Sequence, residues 1–315
     1  MTELVLTQTT KVNEIIKLVT DGLDSTHSRR AYEKALNEFM NWYQSVGAPG
    51  LRRATVQKYK KYLQDLNLSS ATINQRLSAI RKLAKEAAAN EYIEDNIASG
   101  IKSVEGVKSK GQRMGNWLSK DQAQQLLQAP DTTTLKGLRD KAILAMFLFS
   151  GLRRSELAAL TMEHIQQREG RWVIVDMVGK GGKRRTVPLN AKSKAVLDAW
   201  TAAAGIIEGR IFKAINKSDN LAKTREIRKG VFSDGNMTDQ SLANVVTHYC
   251  DKCGFHNVAA HDLRRTYAKL ARKSGARIEQ IQITLGHASP DTTNRYLGTT
   301  LDLAESPSDL IDLDI

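Results

Sequence analysis

Apolar side chains recur every three or four positions through the first hundred residues, and that period predicts helices. Tyr32, Leu36, Phe39, Met40 and Tyr43 form one stripe after a cap at Ser28. Val56, Tyr59, Leu63 and Leu66 form a second stripe, and Ile73, Leu77 and Ile80 a third, opened by Ser69 or Ser70. All three read as core faces. From Ile101 to Asn116 the period dissolves into IKSVEGVKSKGQRMGN, a Lys-, Gly- and Ser-rich run that predicts a linker. Beyond it, LSKDQAQQLLQA reads as a helix capped by Ser119, and DKAILAMFLFS as an apolar helix stopping at Gly151. RWVIVDM, the turn GKGG and KRRTVPL together predict a β-hairpin. Helices resume at Ala191 and again near Ser241. The pattern thus predicts a mostly α protein with a small β-sheet. Its expected divisions are a helical domain over 1–100, a basic linker over 101–116, a second domain over 117–300 and an acidic tail over 301–315.

The chain has 315 residues, enough for two ordinary domains with their own cores. Lys and Arg number 47 against 34 Asp and Glu, a net charge of +13 that favours a polyanionic partner, nucleic acid ahead of a membrane. The excess is uneven. Between Leu51 and Lys85 lie Arg52, Arg53, Lys58, Lys60, Lys61, Arg76, Arg81, Lys82 and Lys85, with Asp65 as the one acid. A solvated helix face normally mixes both signs, so these nine are candidate DNA-phosphate contacts. No apolar run is long enough to span a bilayer, and the first residues lack a secretory layout. Two cysteines fit a reducing compartment, so a cytoplasmic location, on the nucleoid when DNA-bound, is expected. The cluster His248, Cys250, Cys253 and His256 has the residue types of a metal knuckle. Its spacing is compressed relative to zinc sites, and a helix end with a turn at Gly254 is the favoured reading.

From Arg153 onward the chain holds six side chains suited to handling one phosphodiester. They are Arg153 in SGLRRSEL, Lys180 in VGKGGKRRTVPL, His261 and Arg264 in AHDLRRTYA, His287 in LGHAS and Tyr296 in TTNRYLG. Arginine matches the non-bridging oxygens of a phosphate with two parallel N–H donors. Arg153 falls between the Gly151 break and a helix cap expected at Ser155, where a helix N-terminus would favour an anion. His261 and Arg264 stand three apart and share a helix face, while Leu263, Tyr267 and Leu270 occupy another sector. Lys180 sits in a glycine-rich hairpin turn, where Lys183 competes for the same role. Tyrosine attacks poorly at neutral pH because its phenol has a pKa of about 10, so Tyr296 needs a base or a strong positive field. Ser289, Pro290 and Asp291 read as the cap and first turn of the helix that carries it. No paired carboxylates accompany the set, which disfavours a metal-dependent nuclease.

Singly, each of these residues has an ordinary reading as a surface or core side chain. In order and in context they resemble the tyrosine recombinases, the family of phage integrases and Xer-type recombinases. GLRRSEL is similar to that family's first-arginine box, GKGGKRRTVPL to its hairpin lysine, HDLRRTYA to its His-x-x-Arg box, LGHAS to its second-histidine box and TTNRYLG to its nucleophile box. The likeness runs from about Leu118 to Gly298, and more loosely through the helical N-terminal part.

The resemblance implies a helical core-binding domain and a catalytic domain of the DNA breaking-rejoining fold, closing on duplex DNA. It implies site-specific integration or recombination through a 3′-phosphotyrosine at Tyr296, with no metal, ATP or other cofactor. Its implied partners are double-stranded recombination sites such as those of mobile genetic elements, three further copies of the chain in a tetramer on DNA, and accessory DNA-bending or directionality proteins. The layout looks closer to the simple two-domain recombinases than to those with an arm-binding domain. The last stretch, LDLAESPSDLIDLDI, is acidic with apolar anchors; it is read either as a disordered tail or as a segment packing on a neighbouring subunit. Two rival classes are weighed: a topoisomerase or telomere resolvase of related chemistry, and a non-catalytic DNA-binding or architectural protein.

Overall fold

The computed structural model describes residues 9–108, 116–179, 182, 184–223, 225–228, 231–287 and 289–297. At 9–12, 225–228, 231–233, 291, 295 and 296 it describes the backbone alone. Two compact units divide the chain, Met1–Arg113 and Met114–Ile315.

The first unit is built from α1 (Thr9–Asp21), α2 (Thr26–Ser45), α3 (Arg53–Asp65), α4 (Ser70–Ala89) and α5 (Asp95–Lys102). The three predicted stripes are its core: Phe39, Leu36, Tyr43, Val56, Tyr59, Ile73, Leu77 and Ile80 are all buried. Only Leu66, the last member of the second stripe, is exposed, because it is the C-cap of α3. The cap of α2 is Ser25 rather than Ser28, whose own N–H is the group that Ser25 accepts. Ser69 caps α4 by accepting from the Thr72 N–H at 3.2 Å.

The expected linker over 101–116 begins as packed structure. Ile101 and Val104 belong to this unit's core, and Asn74 pairs with the Val107 backbone through both its amide groups, at 2.9 and 2.7 Å. Apolar side chains three apart, hidden within a Lys- and Gly-rich composition, hold the stretch through Lys108 against α4.

The second unit contains α6 (Lys120–Gln128), α7 (Leu135–Ser150), α8 (Arg154–Ala159), β1 (Ile165–Arg168), β2 (Arg171–Val178), β3 (Arg184–Pro188), α9 (Ala191–Ala203), β4 (Arg225–Arg228), β5 (Val231–Ser233), α10 (Asp239–Lys252), α11 (Ala260–Lys273), α12 (Ile278–Leu285) and α13 (Pro290–Leu297). Ser119 caps α6 with a reciprocal bond from Gln122. α7 is the axle. Ala142, Ile143, Leu144, Met146 and Phe147 are all inaccessible, as expected of a helix that is apolar on every side. At about 1.5–3 kcal/mol for each large side chain fully buried, this helix anchors the unit.

β1, β2 and β3 form an antiparallel sheet in that order, so the predicted hairpin is β2–β3, with a further strand on its outer edge. Ile174 pairs with Val187 and Met177 with Arg185. β2 therefore holds one extra residue between those pairs, and Asp176 takes φ 54° in the bulge. The short β4–β5 pair was not foreseen. α10 ends at Lys252 and turns at Gly254, with φ 78°. Cys250 points into the core from its last turn, while His248 and His256 are exposed.

Two glycines end helices where the site is assembled. Gly151 caps α7 and Gly286 caps α12, both left-handed at φ 57° and 62°. A Cβ on Gly151 would lie 2.6 Å from the Tyr267 ring and 2.9 Å from Leu285. Gly170 shares the left-handed conformation, at φ 72°, but has open space around it. We expect Gly151→Ala to lower the Tm by several degrees more than Gly170→Ala, since both carry the backbone penalty and only the first carries the clash. Equal shifts in thermal melts would refute the packing explanation.

Candidate phosphate-binding site

Arg153 is itself the N-cap of α8, so the helix starts two residues earlier than a Ser155 cap would place it. Its backbone N–H donates to Glu156 Oε2 at 2.8 Å, and its guanidinium to Glu156 Oε1 at 2.7 Å. The N–H of the cap residue is thus engaged by a carboxylate of the protein. Glu156 is the residue the motif reading passed over. Its side chain is 4% exposed and also takes two parallel bonds from Arg185, each 2.9 Å.

Arg264 lies on α11 at 1% exposure. It donates to the Gly151 carbonyl at 2.6 Å and to the Leu285 carbonyl, with Glu156 4.0 Å away. Those two carbonyls are the C-terminal ends of α7 and α12, where helix dipoles concentrate negative charge. Two helix ends and one carboxylate therefore orient the guanidinium. Arg153 reaches the same corner, 3.4 Å from the Gly286 carbonyl.

A cavity of about 320 Å³ opens between the start of α8 and the start of α11. Arg153, Ser155, Ala260, His261 and Arg264 line it. Here residues more than a hundred positions apart meet. His261 stands at the mouth, more than a third accessible. Partial loss of solvent, and then Arg265 and Arg264, lower its proton affinity. His287 is half-buried just after the Gly286 cap, with Nδ1 3.0 Å from the hydroxyl of Thr293 on α13. Burial first, then Arg264, Arg153, His261 and Arg185, push its pKa down to about 4. Both rings are therefore neutral at pH 7.

α13 brings Tyr296 to the position three residues beyond Thr293, which is fully buried, and one before Leu297, which packs with Ala268, Ile281 and Leu285. The Tyr296 side chain lies outside the described part, as do Lys180, Lys183 and the tail over 301–315.

Glu156 has its pKa held down to about 2. Burial alone would raise it, but the bonds from Arg185 and Arg153 outweigh that cost. A carboxyl that titrates at about 4.5 when unfolded gains stability above that pH and loses it as pH falls toward 2, a swing of about 3 kcal/mol. His287 behaves alike in a higher window. Its folded pKa lies below the ordinary 6.5, so acid removes stability between about 6.5 and 4. We expect the Tm of the free protein to fall in two stages on acidification. His287→Gln should flatten the upper stage and Glu156→Gln the lower, read by calorimetry; an unchanged profile in both variants would contradict the assignment.

In the first unit the basic residues divide. Arg52, Arg53, Lys58, Lys61 and Lys85 are exposed. Arg76 pairs with Glu38, Arg81 donates to the Val104 carbonyl, Lys60 to the Glu105 carbonyl at 2.9 Å, and Lys82 lies 3.6 Å from Glu86. Among the described residues no group of His, Cys, Asp and Glu is arranged to hold a metal ion, and no helix is long and apolar enough to cross a membrane.

Arg153, Arg264 and His261 thus line one open cavity of the α-rich second unit, an arrangement suited to holding an anion such as a phosphate. Residues 116–301 match the Phage integrase family model, and residues 18–91 its N-terminal SAM-like domain. A tyrosine recombinase XerC of Myxococcus xanthus is 32% identical over 279 residues, 88% of each chain. A XerC of Thermodesulfovibrio yellowstonii is 29% identical, covering 87% of this chain and 86% of its own. A lambda integrase dimer bound to a core site superposes with a TM-score of 0.69 at 16% identity, covering 94% of this chain and 98% of that one. A XerH recombinase bound to palindromic difH gives 0.66 at 19%, covering 94% and 82%. The chain belongs to the phage integrase family and is a tyrosine-type site-specific DNA recombinase.

Proposed function

We propose that this protein cuts and rejoins duplex recombination sites through Tyr296, using Arg153, Lys180, His261, Arg264 and His287 on one phosphate. Convergence of Arg153, His261 and Arg264 on a single cavity, with His287 in the same field, is the observation that carries the reading. Arg153 and Arg264 hold the non-bridging oxygens and stabilise the charge that grows on them in the transition state. The Tyr296 phenolate oxygen bonds to phosphorus as the bond to the 5′-oxygen breaks. The phenol proton passes to neutral His261, and Lys180 delivers a proton to the departing 5′-oxygen. His287 donates a further hydrogen bond. The products are a 3′-phosphotyrosine and a free 5′-hydroxyl, and attack by a second 5′-hydroxyl reverses the step onto a new strand.

One phosphodiester replaces another of similar energy, so the chemistry needs neither nucleotide hydrolysis nor a metal. Exposed Arg52, Arg53, Lys58, Lys61 and Lys85 are the first candidates for contact with the DNA backbone. Arg76, Arg81, Lys60 and Lys82 contribute charge while bracing the unit. XerH and lambda integrase are seen on their own DNA sites, which supports duplex DNA as the partner here. Four copies on paired sites, with accessory DNA-bending or directionality proteins, complete the proposed assembly, and the acidic tail is assigned to a neighbouring copy's basic surface.

Two plasmid-borne copies of a site that the protein selects from random DNA should recombine in excess EDTA. Relaxation of supercoils without recombinants would identify a topoisomerase instead, and binding without covalent trapping an architectural protein.

A further inference from the structure

Arg185 carries no role in the mechanism above, yet it touches three separate parts of the site. Its strand position explains why it is inside. Val187 is buried on β3, and Arg185, two residues earlier, shares that face, while Arg184 points out at 71% exposure. The side chain of Arg185 is 8% exposed. Two of its nitrogens bond the two oxygens of Glu156 in parallel, and the third donates to the Thr284 carbonyl on α12 at 2.8 Å. Gly286 closes over it: a Cβ there would lie 3.0 Å from Arg185 Cδ and 3.2 Å from its Nε.

We propose that Arg185 is a positioning residue that locks the hairpin, the Arg153 helix cap and the segment before His287 into one geometry. This rests on the proposed function, which gives those three parts their roles. Glu156 has two oxygens and binds Arg153 with both, one to the backbone and one to the guanidinium. A carboxylate held from one side only can rotate about its last bond. Arg185 gives each oxygen a second donor and so restricts that rotation further, and the Arg153 fork is aimed before substrate arrives. The Thr284 bond ties the same guanidinium to α12, three residues ahead of His287. The Met177–Arg185 pairing fixes it in the hairpin whose turn carries Lys180. A lysine could supply the charge but not three directed donors.

The test uses the full chain and a nicked duplex bearing a site that the wild-type protein selects from a random pool. Covalent adduct is followed in single turnover, with half-site binding and thermal melting measured alongside. Arg185→Ala should slow adduct formation by about 10²-fold, the scale of a small misplacement of reacting groups, with binding changed only a few-fold. Millimolar guanidinium should restore most of that loss by refilling the space, whereas urea at equal concentration should not. Arg185→Lys, which keeps a charge in the buried site, should fold, cut slowly and gain nothing from guanidinium; it decides the matter if the alanine variant does not fold. Either variant cutting at the wild-type rate, or rescue by urea as well, would overturn the role of Arg185. Absence of any adduct from the wild-type chain would instead overturn the proposed function, and this inference with it.

Discussion

Arg264→Ala is expected to slow strand cleavage by about 10²–10³-fold and to lower the Tm of the free protein in the same variant. Both effects follow from one guanidinium doing two tasks. On its inner side it donates to the Gly151 and Leu285 carbonyls, the closing residues of α7 and α12. Removing it leaves two buried carbonyls unpaired, at about 1–3 kcal/mol each. On its outer side it lines the cavity shared with Arg153 and His261. Arg264→Lys separates the tasks. An ammonium retains charge, and so part of the thermal stability, but it cannot bridge two carbonyls and still present a planar fork to phosphate. The lysine variant should therefore melt closer to wild type while cutting almost as slowly as the alanine variant. A lysine variant with near wild-type cleavage would show that charge, not geometry, is what the site requires.

Tyr296→Phe should abolish the covalent adduct altogether and leave site binding intact. The substitution deletes one oxygen. In the backbone of α13 its neighbours carry the local packing: Thr293 is buried against His287, and Leu297 joins the cluster of Ala268, Ile281 and Leu285. Loss of the phenol thus leaves helix and histidine in place. It removes the nucleophile of the proposed reaction, so no residual rate through the same intermediate is expected. Binding and cleavage measured on the same duplex separate this result from misfolding, and an adduct formed by the phenylalanine variant would reassign the nucleophile.

Much of this was legible in the chain because it depends on local chemistry. Ser119, Gly151 and Gly254 punctuate helices for reasons that act within a few residues, and each stands where its neighbours place it. The apolar run in α7 could only be central. What escaped the reading depends on partners far away in sequence. Glu156 sits inside the GLRRSEL motif at the spacing of an N3 carboxylate from its N-cap Arg153, but its other partner, Arg185, lies 29 positions on. Arg185 was open to discovery through strand alternation with Val187, yet a run of three basic residues reads as surface. The packed start of the linker was masked by lysines and glycines around Ile101 and Val104. The surplus of positive charge over Leu51–Lys85 was real, but Glu38 and Glu86, which engage two of its members, lie outside that window. Ion pairs with acids beyond a segment cannot be read from that segment's own charge count.

In the proposed reaction one cavity serves one phosphate, attacked by one tyrosine. Mass mapping of the trapped protein–DNA complex tests it most directly. After exhaustive nuclease and protease digestion, the peptide containing Tyr296 should carry a nucleotide joined through its 3′-phosphate. A nucleotide on any other residue, or one joined through its 5′-phosphate, would contradict the account.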